Sequence, residues 1–466
     1  MKLKLLALFM ASVMVLGSLA GCGNDSNTSA QDSSSQSTLS STDTSTTSGE
    51  IIGQNVKFDT GKKMEGTLNV WFYEDGKRFI QPLFDDYQKY RPDVKLNVTY
   101  IPWGDYWKKV PVAVSGGNGP DLYYFHNLYQ NLMVDGGLMA PYPKDLVDNL
   151  KKDYKNVEQF DIDGNTYYIG VGGGHGLIYY NKDLWAAAGL KDSDIPQTWE
   201  QLRDIAIKLT QKDGDKIKVS GFNFNPGAGA FINDWQYLSG RFLFNEDGSQ
   251  IMIDNDDFKK TLKFFTDLYT VDKVCSPTFP EYMQSFKDGT TAMIWNHPYF
   301  NGILKSETPD LKFGVFPLPK FEGKERNWHY NNPDVSMGIN SKINDKQKEL
   351  AVDLLTLFFA DDKYMREWDL AQGLAPTKIS LESDETLSKD TVIQVLMKDF
   401  DNSVYIGPAP DAMTQDLIQN LVDPILKGNV SIDEAIKNSV TKVNKTLKDF
   451  NWQPAERAWS HANELK

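Results

Sequence analysis

A chain of 466 residues exceeds the size at which one hydrophobic core keeps growing, about 250–300 residues, so at least two lobes are expected. Hydrophobic residues make up 40% and charged residues 24%, the balance of a folded, water-facing body rather than of an integral membrane protein. The formal net charge of -14, with basic residues scattered along the chain, repels a phosphate backbone; it argues against nucleic acid as a partner and for a neutral ligand.

Lys2 and Lys4 precede an apolar run from Leu5 to Leu19, which ends in Leu19-Ala20-Gly21-Cys22. This is the layout of a secretory signal peptide over residues 1–22. Small residues before a cysteine resemble the lipobox of bacterial lipoproteins. Cys22 would then be the lipidated first residue of the mature chain, anchored on the outer side of the cytoplasmic membrane. The competing reading is an ordinary signal peptide that happens to carry a cysteine, but the chain has only 2 cysteines. The other, Cys275, is left without a partner and reads as a small buried apolar side chain, so no disulfide framework is expected. From Gly23 to about Gly49 the chain is Ser, Thr, Gln, Asn and Asp with almost no apolar residue, a composition that cannot offset the entropy of ordering. The disordered tether is assigned to 23–64.

Gly66 to Phe72 alternates as a strand, and Phe79, Ile80, Leu83, Phe84 and Tyr87 fall on one helical face with Pro82 placed in the first turn. Arg91-Pro92-Asp93 stops that helix, and Val94, Leu96, Val98 and Tyr100 alternate as a second strand. Strand, helix and strand at this length make a right-handed βαβ unit. A helix from Trp103 to Ser115 and a strand over Asp121–Phe125 extend a parallel sheet. Further on, His175–Tyr180 reads as a strand. Thr198 and Gln201 form a capping box for a helix with Trp199, Leu202, Ile205, Ala206 and Leu209 buried. Phe258–Tyr269 is the next helix, Ala292–Trp295 and Phe313–Phe316 are strands, and Glu349–Phe359 is a buried helix. The C-terminal third is mostly helical.

Several segments resemble, in order, the sugar-binding members of the bacterial extracellular solute-binding protein family, the group that includes maltose-binding protein. They are Gly119-Pro120-Asp121-Leu122, Tyr179 to Trp185 with Ala188-Gly189-Leu190, Thr198 to Leu202, Phe286 to Met293, Val335 to Ile339, Gly373-Leu374-Ala375-Pro376, and Gly428 through Ser431 to Ala435. The resemblance implies a two-lobed α/β fold of the periplasmic-binding-protein type (type II), with mixed, mainly parallel sheets and a hinge the chain crosses three times. The crossings are expected near Gly172–Gly176, near Gly314–Pro319 and in the helix containing Leu357–Tyr364. The first lobe is assigned to 65–173 and 317–360, and the second to 174–316 and 361–466. Gly172-Gly173-Gly174 suits a hinge. As a phosphate loop it fails, because no Lys-Ser/Thr pair follows and it leads into a strand.

The same resemblance implies no catalysis and no cofactor. It implies a monomer that holds a carbohydrate between the lobes and presents it to the transmembrane permease subunits of an ABC importer, touching the membrane only through its lipid. A sugar site needs aromatic platforms and groups that both donate and accept hydrogen bonds, and in open α/β sheets the carboxyl ends of strands face the ligand. Three aromatic clusters stand at such ends: Trp71-Phe72-Tyr73-Glu74-Asp75, Phe125-His126-Asn127, and Trp295-Asn296-His297-Pro298-Tyr299. The resemblance adds Tyr299 as a stacking platform, Asn233 and Trp235 from the segment Phe231–Trp235, and the hinge-side His175. Trp328 and Asn332 lie in a polar-aromatic loop able to close over the cleft. Each has a plainer reading: Trp71, Tyr124 and Trp295 as core, Asp121 as a turn or cap, Glu74 and Asp75 as solvated charges, His126 and His297 as structural histidines. Trp185 and Trp199, on helix stripes, read as core. An exported glycoside hydrolase is the rival class, since paired carboxylates among aromatics also cleave glycosidic bonds, and a binding protein for a non-sugar solute is another. The 5 histidines show no metal-ligand spacing, so no metal is expected.

Overall fold

A computed structural model describes residues 49–224, 229–407, 409, 411–450, 454–458 and 461–466. The signal peptide, Cys22 and the tether as far as residue 48 lie outside the described residues. Strand β1 (Gly66–Tyr73) buries Leu68, Val70 and Phe72 and leaves Asn69 and Trp71 half-covered, the two-residue alternation of a strand laid on a core. One helical turn at Glu74–Gly76 leads into α1 (Lys77–Tyr90), whose Phe79, Ile80, Leu83, Phe84 and Tyr87 all face inward. Because the helix begins at Lys77, Pro82 sits inside it rather than in its first turn and removes one helical hydrogen bond. β2 (Val94–Ile101) runs parallel to β1 from Gly66↔Val94 to Tyr73↔Ile101, closing the βαβ unit. Next come α2 (Trp103–Ser115), β3 (Leu122–Tyr123) and β4 (Met139–Ala140).

The chain leaves through β5 (Gly170–Gly173) into β6 (Leu177–Asn181), α3 (Trp199–Leu209), α4 (Gly229–Leu238), α5 (Asp256–Thr270), β7 (Met293–Asn296), α6 (Phe300–Glu307) and β8 (Phe313–Pro317). It returns by β9 (His329–Tyr330) and β10 (Asp334–Val335) to β11 (Gly338–Asn340), α7 (Asp345–Ala360) and α8 (Asp362–Gln372). A third passage uses β12 (Ala375–Pro376), α9 (Thr391–Asp399) and β13 (Ser403–Val404) and ends in α10 (Ile432–Phe450). At the start of α3, Thr198 Oγ1 accepts from the Gln201 N–H, but the Gln201 side chain accepts from Gln197 N–H, so the expected box closes one residue early.

The first sheet has the order β2-β1-β3-β11-β4, with β1 parallel to β2 and β3 and β11 antiparallel to β3 and β4. The second, β7-β6-β8, is antiparallel throughout, which corrects the expectation of mainly parallel sheets. The reason is insertion: β7, α6 and β8 have the order of a βαβ unit, but β6 lies between the two strands and opposes both. Ile178 and Tyr180 of β6 face one apolar cluster while Leu177 and Tyr179 face another, so this sheet is buried on both sides.

Two large cores make the fold two-lobed. The first gathers β1–β3, α1, α7 and α8, and the second gathers α3, α4, α5, β7 and the C-terminal helices. Residues 49–64, expected as tether, belong to the first: Ile51–Ile52 pairs with Phe58–Asp59, and Val56 and Phe58 are buried. Arg91 fixes this ribbon. Its Nε and Nη2 donate to the two oxygens of Asp353 at 2.8 and 3.1 Å, and Nη2 also donates to Asp59 O at 2.9 Å. Its guanidinium lies 4.3 Å from the Phe58 ring centre.

The passages between the cores come together as one sheet, β10-β5-β12, antiparallel throughout. Only the first is where the sequence put it. Gly314–Pro319 is not a crossing, because Phe313–Pro317 is paired along β6 inside the second lobe; the return runs between Tyr330, in the second core, and Val335, in the first. Nor is Leu357–Tyr364 a crossing, or a single helix: it is the junction of α7 and α8, where Leu357, Tyr364, Met365 and Trp368 all face the first core, and the chain turns away at Leu374–Ala375.

Candidate functional site

A cleft of about 570 Å³ opens where β1 and β3 of the first lobe end and α2 begins, opposite β7 and α6 of the second. The hinge lays its floor with Gly174, Asn332, Pro333 and Leu374. Tyr73, Asp75 and Arg78 reach it from the end of β1 and the start of α1, Trp103 from the first turn of α2, and Tyr124 and His126 from beyond β3. From the other side come His297, Pro298 and Tyr299, then Ile303, Ser306 and Glu307 along α6.

The first wall is aromatic. Tyr73 and Tyr124 meet at 4.5 Å between ring centres, and Trp103 stands edge-on to Tyr73 at 5.6 Å and 82° and to Trp107 at 6.0 Å and 82°. Edge contacts hold the indole upright and leave its face uncovered; Trp103 is 43% exposed, and Tyr299 from the other lobe is 37% exposed. Behind the rings, Asp334 is held by neutral donors. Its Oδ1 accepts from Tyr124 O–H at 3.2 Å and Val335 N–H at 3.0 Å, its Oδ2 from Trp368 Nε1–H at 2.8 Å. Gln372 reaches Oδ2 at 3.5 Å and Tyr73 Oη at 3.1 Å, which links the floor to the wall. Burial raises the Asp334 carboxyl above its ordinary range, and the donors pull it back.

His126, His175 and His297 behave as neutral groups. Burial lowers His126 and His297 to about 4, and His175 to about 3 with help from neighbouring His329. His175 is fully buried beside the floor, donates from Nδ1 to Gly176 O at 2.9 Å and stacks on His329 at 3.8 Å and 27°. His329 in turn contacts Asp399 Oδ2 at 3.0 Å. His175, His329 and Asp399 are near enough to invite a metal reading. The face-to-face rings do not fit it, since two imidazoles sharing one ion point their ring planes at it and cannot lie stacked.

Glycine permits the close meeting of the lobes. A Cβ on Gly373, whose φ is +66°, would lie 2.8 Å from Pro298 O, and one on Gly302 would lie 2.8 Å from Arg78 Nη1. The β7–α6 corner can therefore rest against the end of α8.

Of the residues expected from sequence, Tyr73, His126, His297, Tyr299 and Asn332 line the cleft, and His175 lies beside its floor. The others are elsewhere. Trp71 is half-buried against the first core, Glu74 is solvated, and Phe125 and Asn127 are buried, with Phe125 against Tyr168 at 4.8 Å. Asp121 is structural: it accepts from Asn69 N–H at 2.7 Å and Gln347 Nε2–H at 2.7 Å. Trp235 stacks on Phe265 at 5.0 Å and Trp295 packs on Phe231 at 4.8 Å, both inside the second core. Trp328 is buried under Arg326 at 4.9 Å. Asn233 and Asn296 are buried and do not line the cleft, and Asn296 Oδ1 accepts from His297 N–H at 2.8 Å. Sequence reasoning missed Trp103, Arg78, Asp334, Gln372 and the α6 face. Trp103 had a signal, a large aromatic after Pro102 at a helix start, where the apolar stripe had not yet begun.

Comparison with known proteins agrees with this architecture. A binding protein of Brucella abortus (strain 2308) is 23% identical over 390 residues, covering 79% of this chain and 90% of that one. The maltotriose-binding protein of Pyrococcus abyssi is 21% identical over 391 residues, covering 82% and 83%. The maltose/maltodextrin-binding domain from Bdellovibrio bacteriovorus, solved with maltotriose, superposes with a TM-score of 0.71 at 18% identity, covering 82% of this chain and all of that one. The family described as bacterial extracellular solute-binding protein matches residues 73–365, and the chain belongs to that family.

Proposed function

We propose that this protein captures a mono- or short oligosaccharide outside the cell and presents it to the transmembrane permease subunits of an ABC importer, tethered to the membrane by a lipid on Cys22. The observation that carries the reading is the cleft: about 570 Å³, walled by Tyr73, Trp103 and Tyr124 from one lobe and His297 and Tyr299 from the other. Aromatic faces take the apolar faces of sugar rings, and the carboxylate, amide and imidazole groups around them take hydroxyls. The volume lies within the roughly 300–1,000 Å³ of small-molecule sites. A ligand touching both lobes stabilises their closed arrangement, and it is this arrangement that docks on the permease. The maltotriose recorded for two relatives supports a carbohydrate of short chain length.

Thermal melting across a panel of mono- and oligosaccharides tests the reading. A ligand that binds only the native state raises the melting temperature with concentration, and one or more sugars should do so while being recovered intact. A panel without any shift would overturn the proposal, as would release of shorter sugars.

A further inference from the structure

The cleft holds a carboxyl group with no ion-pair partner among the described residues. Asp334 accepts four hydrogen bonds, all from neutral groups: Tyr124, Trp368, Gln372 and the Val335 backbone. Among the described residues no Lys, Arg or His forms an ion pair with it. Glu307 is tied to Lys287 at 2.7 Å; Arg78 donates to the neutral Ala371 O at 3.2 Å and keeps its charge in the cleft, but forms no ion pair with Asp334. Keeping a half-buried carboxylate without a counter-ion is costly unless something else supplies positive charge.

A second, independent imbalance lies on the facing wall, where polar atoms stand idle: a lone pair and an N–H of His297 and, next to it in the chain, the Nδ2 donor of buried Asn296. Both ring nitrogens of His297 lack a partner among the described residues, and one of them is a lone pair in the neutral ring. Away from that wall, fully buried beside the floor, His175 donates its N–H to Gly176 O and leaves Nε2 as an unpartnered acceptor. Buried polar groups are normally satisfied. Sugar hydroxyls can meet the idle donors, and an ammonium offers three donors with a charge to the idle lone pair. The rings around Asp334 add to the case, since Tyr73, Tyr124 and Trp103 gather in one cluster from which Trp103 is exposed, and an aromatic face attracts a cation.

We propose that the cleft selects a carbohydrate bearing a free amino group, held as its ammonium against Asp334 within the ring cluster of Tyr73, Trp103 and Tyr124. This rests on the carbohydrate-capture reading and narrows it: amine-bearing sugars bind tightest, neutral parents more weakly, and uronic acids least. N-acetylation, which removes the charge, removes the advantage.

The test is calorimetry with four disaccharides of one linkage: the free amine, its N-acetyl form, the neutral parent and the uronic acid. The amine is expected to bind about tenfold or more tighter than the neutral parent at pH 6. That advantage should vanish as pH rises past the amine's own pKa, and should shrink to about twofold in Asp334→Asn. Should Asp334→Asn fail to fold, the pH titration of the unaltered protein decides alone. Equal binding of amine and neutral parent, tighter binding of the N-acetyl or acidic sugar, or an advantage unchanged by pH would overturn the amine proposal and leave carbohydrate capture standing. If a broad panel of sugars gives no binding at all, capture itself fails and this inference with it.

Discussion

Removing the indole of Trp103 isolates the stacking contribution. The side chain is 43% exposed, and that share of the roughly 150–250 Å² an aromatic presents leaves about 65–110 Å² for a sugar ring to cover. At about 25 cal/mol per Å² the contact is worth about 1.6–2.7 kcal/mol, or roughly 15–100-fold in Kd. Trp103→Ala should therefore weaken binding of whichever sugar the melting screen identifies by that factor. Its cost to the fold should be small, a melting shift of about 2–4 °C, because the ring meets Tyr73, Trp107 and Tyr124 only by edge contacts. Trp103→Phe should recover part of the affinity. Calorimetry and thermal melting on the same preparations separate the two effects. Affinity within about twofold of the unaltered protein in a cooperatively melting Trp103→Ala variant would refute the platform role.

Other perturbations probe the scaffold. Arg91→Met strands Asp353 in the first core without its counter-charge and should cost about 3–5 kcal/mol in urea unfolding, whereas Arg91→Met combined with Asp353→Leu should regain most of it. Gly373→Ala pays about 1–2 kcal/mol for a side chain at φ +66° and sets a Cβ against Pro298 O, so it should lower both the unfolding midpoint and ligand affinity. Acidification should destabilise the protein through His126, His175 and His297. Their folded pKa values, about 4, 3 and 4, lie below the usual 6.5. The unfolded chain therefore takes up protons first: the neutral rings contribute their full stability above pH 6.5, and it is lost as pH falls from 6.5 towards 4. Fully buried His175 alone forfeits roughly 1.4 kcal/mol per pH unit across that window. A melting temperature flat between pH 7 and 4.5 would contradict this.

What could be read from the sequence was local. Leu68, Val70 and Phe72 alternate, Phe79 to Tyr87 repeats at helical spacing, and a βαβ unit follows from neighbours in the chain alone. The antiparallel second sheet could not be read, because Phe313–Pro317 pairs with a strand more than a hundred residues earlier and nothing in its own pattern records that. The same blindness misplaced a hinge crossing there, while Gly172-Gly173-Gly174 marked the true first one by composition. Strand ends put Tyr73, His126 and Tyr299 at the cleft. They could not tell Trp295, turned into the second core, from His297 two residues on, which faces the cleft. Asp334 was invisible for another reason: its setting is made by Tyr124, Trp368 and Gln372, which no sequence window holds together.

The passages between the lobes are bonded edge to edge, with β5 gripped on both sides by β10 and β12. Such a band flexes like a leaf spring and resists sliding, since a slip of the central strand would break two ladders at once and a slip of either outer strand would break one. Jaws joined this way have one easy motion, and each closing returns the same opposing teeth to the same bite. Selectivity is then inherited from the pivot as much as from the groups that touch the cargo.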